Sequence, residues 1–87
     1  MQFDVTGVQY DATIRRLDVE ITFTECNFGG SVTFRGDEGP FYVFDYGVDS
    51  FNIEDEEKHR KAEMFIESRE GMQAILAHNQ VRLYTLF

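Results

Sequence analysis

A few side chains in this 87-residue chain have the type and spacing to do chemistry. Counted from Asp45 as the first position of a calcium loop, Asp49 falls fifth and Glu56 twelfth, where an EF-hand supplies carboxylate oxygens. The rest of that count fails. Ser50 stands where the sharp turn needs glycine, Gly47 takes the third position, and no helical pattern precedes the loop. Glu56 and His59 form a Glu-x-x-His pair, but a carboxylate-bridged di-iron site draws two such pairs and two further glutamates from facing helices. Only one stretch of this chain has helical periodicity. Cys26 lies at a strand end before a glycine-rich turn, with no base beside it to activate a thiolate. Gly29-Gly30 lacks the spacing of a phosphate-binding loop. The reading is a protein that is not an enzyme, with no metal and no cofactor.

The strongest signal is charge. The chain carries 16 acidic residues against 8 basic ones, a formal net charge of −8. Residues 37–57 hold eight of the acids, Asp37, Glu38, Asp45, Asp49, Glu54, Asp55, Glu56 and Glu57, and no Lys, Arg or His. The remainder of the chain is balanced. The same stretch holds Phe41, Tyr42, Phe44, Tyr46 and Phe51, so it packs as part of a fold and is not a solvated tail. These eight acids are the candidate partner-binding residues. Along one face of a strand, side chains recur about every 6.5–7 Å, and B-DNA presents one phosphate per about 3.4 Å of axis on each strand. Carboxylates on a strand face and a first helical turn therefore offer charge at phosphate-like density. Asp18 and Glu20, on the polar face of another strand, extend such a surface if the acidic stretch pairs alongside.

Periodicity sets the elements that carry these residues. Residues 2–9 read as a strand, bulged at Gly7. From residue 17 the alternation is clean, with Leu17, Val19, Ile21 and Phe23 on one face and Asp18, Glu20, Thr22 and Thr24 on the other. Asn27-Phe28-Gly29-Gly30 predicts a hairpin turn, and Val32 and Phe34 mark the return strand. After the turn at 36–40, residues 41–46 form a strand apolar on both faces. A helix covers only one face, so the second meets another layer from this chain or a partner, and a homodimer is compatible with that. Residues 54–78 predict a helix, with Ser68 and Gly71 as candidate breaks and Asn79 as C-cap. Residues 81–87 alternate as a last strand.

The sum is an α+β fold, an antiparallel sheet of four to five strands in the order β-β-β-β-α-β, with one helical region packed on one face. Residues 1–87 make a single domain. Leu17, Val19, Ile21, Phe23, Val32, Phe34, Phe65, Ile66, Ile75 and Leu76 are expected to share one core. A lone cysteine excludes an internal disulfide. The opening residues have neither the basic nor the apolar region of a signal peptide, and no apolar run is long enough to span a bilayer. A cytoplasmic location fits. Net negative charge opposes anionic lipid and direct nucleic-acid contact and favours basic protein surfaces.

In size, acidity and lack of a catalytic motif, the chain resembles the small phage-encoded inhibitors: anti-CRISPR proteins and DNA-mimic anti-restriction proteins. The likeness is one of kind over the whole chain, and no family residue carries over. It implies a protein that inhibits a host nucleic-acid-handling effector by occupying its basic nucleic-acid-binding surface. The alternative is a non-catalytic interaction subunit or adaptor that uses the aromatic strand 41–46 as its interface.

Overall fold

The computed structural model describes residues 1–24, 28–49 and 56–85, and at Phe28 and Asp49 the backbone alone. Four strands form one antiparallel sheet in sequence order: β1 (Phe3–Asp11), β2 (Arg16–Phe23), β3 (Phe28–Arg35) and β4 (Tyr42–Asp49). Each strand pairs with its chain neighbour, because short connections favour adjacent hairpins over crossovers. Helices α1 (Glu56–Glu67), α2 (Arg69–Ala77) and α3 (Arg82–Thr85) come after the sheet.

The alternation of β2 sets the sheet's two faces. Leu17, Val19, Ile21 and Phe23 are all buried and, with Val5, Val32 and Phe34, line the inner face. Ala62, Ile66, Ile75 and Val81 from the helical half belong to the same buried cluster. Phe65 and Leu76 are partly buried and pack against it, so the ten expected core residues do share one core. Phe65 sets its ring 5.7 Å from that of Phe3 and 6.1 Å, edge-on, from that of Phe23. Tyr84 lies 5.7 Å from Tyr10.

Two bulges shape the sheet. On β1, Val5 pairs with Ile21 and Gly7 with Glu20, which leaves Thr6 as the extra residue. On β4, Asp45 pairs with Thr33 and Val43 with Phe34, which leaves Phe44 extra. The β2–β3 register runs without interruption. A bulge adds one residue without a ladder partner, bends the strand and re-aims its side chains. Phe44 is accordingly 55% exposed in a strand that reads as apolar throughout.

Ser68 and Gly71 divide the helical region. The Ser68 hydroxyl donates to the Phe65 carbonyl (2.7 Å) and accepts from the Gly71 amide (2.9 Å), so one side chain closes α1 and caps α2. The α2 C-cap is His78 in extended conformation, one residue before the expected Asn79.

Two expectations are corrected. No fifth strand forms among the described residues, and 82–85 are helical. Val81 and Arg82 both donate to the His78 carbonyl (2.9 Å each), and Tyr84 donates to Val81 (3.0 Å). These local bonds satisfy the backbone, which a lone strand without a partner edge cannot do. The alternation at 81–85 also fits an i, i+3 pattern, and Val81 and Tyr84 are the members turned inward while Leu83 is 59% exposed. The predicted turn 27–30 is the second correction, because Phe28, Gly29 and Gly30 belong to β3. Cys26 and Asn27 lie outside the described residues.

Candidate anionic sheet face

The outer face of the sheet is polar because β2 and β3 alternate. Across the four strands, the register aligns Asp4, Thr22, Gly29 and Asp49 in one row. Gly7, Glu20, Ser31 and Gly47 form the next row, and Gln9, Asp18, Thr33 and Asp45 the third. Asp11, Arg16, Arg35 and Tyr42 form the last. Each of the four rows thus carries at least one acid, and Arg16 and Arg35 stand together in the last row beside Asp11. Asp18 accepts a 2.6 Å hydrogen bond from the Thr33 hydroxyl and pairs with Arg16 at 3.1 Å. Such an exposed pair contributes only about 0–1 kcal/mol.

The contiguous acidic stretch does not converge as one patch among the described residues. Asp37 and Glu38 sit in the β3–β4 turn, where Asp37 accepts from the Tyr42 hydroxyl (3.2 Å) and pairs with Arg35 (3.6 Å). Asp45 alone has its side chain described on the outer face, and its carboxylate accepts from the Tyr46 amide (2.9 Å). Asp49 shares a register row with Asp4, with only its backbone described. Glu54 and Asp55 lie outside the described residues. Glu56 and Glu57 open α1, where negative charge suits the helix dipole, and Glu57 pairs with Lys61 at 3.7 Å.

The register instead sets Asp45 on the same sheet face as Asp18 and Glu20, as the strand alternation allowed, and as Asp4 on the opposite edge strand. Asp4 carries no signal in the sequence because only the register of three successive pairings places it there. A shallow cavity of about 240 Å³ lies against Gly7, Val8, Gln9, Asp18 and Glu20. A second, of about 550 Å³, continues it along Gln9, Tyr10, Asp11, Ile14, Arg16 and Asp18.

At α1, His59 makes a 2.5 Å contact with Glu63, one turn on. Tyr46 donates its hydroxyl to the Glu67 carboxylate. That hydrogen bond, with desolvation and the charges of Glu67 and Glu63, pushes the Tyr46 phenol up to about 12. The Tyr42 phenol is also raised, first by desolvation and then by its bond to Asp37. Among the described residues, no three His, Cys, Asp or Glu side chains come together to hold a metal. No described helix is long and apolar enough to cross a membrane.

No family model, curated protein or solved structure matches the chain.

Proposed function

We propose that this chain is a small acidic binding protein of the anti-CRISPR or anti-restriction type. It acts in the host cytoplasm without catalysis and occupies the basic nucleic-acid-binding surface of an effector. The helical region serves as the layer over the inner sheet face and leaves the outer face free for the partner. The observation that supports this reading is the distribution of charge on that outer face, where Asp4, Glu20 and Asp45 lie in rows away from the Arg16–Arg35 end and Asp18, paired with Arg16, stands between. Complementary charge steers encounter and makes the association sensitive to salt.

The test is a triple reversal, Asp4→Lys, Glu20→Lys and Asp45→Lys, assayed against a restriction or CRISPR-type nuclease across a salt series. Affinity is expected to fall by about tenfold or more and the salt slope to flatten. The control pair Glu56→Lys and Glu57→Lys should change affinity less. Unchanged affinity in the triple variant would remove this reading.

One observation favours the adaptor alternative. Tyr42 and Phe44 are 42% and 55% exposed on neighbouring positions of an edge strand, an aromatic pair of the kind enriched in protein interfaces. Under that reading Phe44→Ser abolishes partner binding and the salt series does not.

A further inference from the structure

The last row of the outer face sets two like charges side by side. Arg16 and Arg35 are direct cross-strand partners, and like charges opposite each other weaken a sheet. The acids nearby relieve this only in part. Asp18 meets Arg16 through Nε alone, at 3.1 and 3.3 Å. Among the described residues, both Nη nitrogens of Arg16 are left without an acceptor. Asp11, the β1 partner of Arg16 in register, accepts from the Thr13 amide. Asp37 stands 3.6 Å from Arg35, beyond the usual length of a hydrogen bond, and accepts from the Tyr42 hydroxyl. The Nε of Arg35 is buried with no hydrogen-bond partner among the described residues.

Arg35 is held by an aromatic ring instead. Its guanidinium lies over Phe44, 5.2 Å from the ring centre. Stacking of this kind fixes the group without using its hydrogen-bond donors. Phe44 is the extra residue of the β4 bulge, and Tyr42 stands opposite Arg35 in register. Both rings are exposed. Two guanidiniums with donors to spare therefore border two open aromatic rings. A carboxylate matches the fork of a guanidinium and makes the stronger, charge-assisted kind of hydrogen bond. Aromatic residues and Arg are enriched in protein interfaces, so a side chain of another protein is the source of that carboxylate that suits this surface.

We infer that the Arg16–Arg35 end of the sheet takes an acidic side chain of a partner protein, with an aromatic or aliphatic residue beside it that lies against Phe44 and Tyr42. The incoming carboxylate accepts from the unused guanidinium donors and relieves the repulsion between the two cations. This does not rest on the acidic-surface reading, since it calls for the opposite charge on the partner. It gives the aromatic edge of β4 the chemistry of what it receives.

The probes are two blocked peptides, identical except that a glutamate beside a phenylalanine in one is a glutamine in the other. Binding to the labelled protein is followed by amide and arginine Nε–H chemical shifts. The salt is about 0.15 M, where repulsion by the net charge is screened beyond about 8 Å. The glutamate peptide should bind about tenfold tighter, with shifts centred on Arg16, Arg35 and Phe44. Arg35→Gln and Arg16→Gln should each bring the two peptides level, with cooperative thermal unfolding retained. Glu20→Lys, made in a row away from this end, should leave the preference intact. Equal binding of both peptides by the unaltered protein, a preference that survives either arginine substitution, or absence of binding overturns the proposal. The acidic-surface reading is untouched by those outcomes and is decided by the triple reversal.

Discussion

Arg15 and Gly36 bind each other twice: the Gly36 amide donates to the Arg15 carbonyl (3.0 Å), and the Arg15 guanidinium donates back to the Gly36 carbonyl (2.9 Å). The same Nη1 reaches the Gly39 carbonyl at 3.2 Å, and the guanidinium lies 4.8 Å from the centre of the Phe41 ring. One side chain thus joins the β1–β2 turn to the β3–β4 turn. Its backbone is left-handed, with φ of 47°, a conformation that costs a non-glycine residue about 1–2 kcal/mol.

Both features enter the expected behaviour of Arg15 variants. Arg15→Ala loses the guanidinium bonds and keeps the backbone cost, so it should destabilise by about 1–3 kcal/mol. Arg15→Gly loses the same bonds but relieves the backbone, and should be more stable than Arg15→Ala by about 1 kcal/mol. Urea denaturation of the two variants checks the order. Arg15→Lys should fall short of wild type, because a single ammonium does not reproduce the planar fork.

Gly71→Ala runs against propensity. Alanine favours a helix by about 1 kcal/mol over glycine, but Gly71 is buried and a Cβ there would fall within the Phe65 carbonyl group. The α1–α2 junction must open to admit it, at a net cost of about 1–3 kcal/mol. Thermal unfolding measures this, and a more stable Gly71→Ala protein would contradict the close approach of the two helices.

The Tyr46–Glu67 bond gives a pH dependence at the alkaline end. Its phenol is raised in the folded state to about 12, against an unfolded value of about 10. A raised pKa stabilises the fold fully below the unfolded value, so this contribution is intact at neutral pH. It declines from about pH 10 and is gone once pH has passed through the folded value. Phenolate absorbance should show a late component near that value. Tyr46→Phe should remove that component, and Glu67→Gln should move it to lower pH.

Alternation made the core legible from Leu17 to Phe23, where burial and period agree residue by residue. It misled at 81–85, because five residues are too few to separate a period of 2 from i, i+3 spacing, and Val81 with Tyr84 satisfies the second. Gly29 and Gly30 read as a turn because glycine commonly supplies positive φ. Their placement inside β3 depends on pairing with both neighbours, which composition does not record. The charge was visible as a count, but its arrangement was not. Contiguous acids such as Asp37, Asp45 and Glu56 land on different elements, while Asp4 and Asp45, far apart in sequence, share one face through the register of three hairpins.

The two bulges have a consequence for self-association. Both lie on the outermost strands, at Thr6 of β1 and Phe44 of β4, and the β2–β3 pairing between them is regular. An outermost strand offers unsatisfied amides and carbonyls to any other chain, and a kink that breaks their regular spacing blunts that invitation. Asp4 and Asp11 flank the β1 kink with like charge, so two β1 strands brought side by side repel. This sheet is therefore protected against growing by addition of strands, and crowding two copies together should leave them separate at their rims or joined through their broad surfaces.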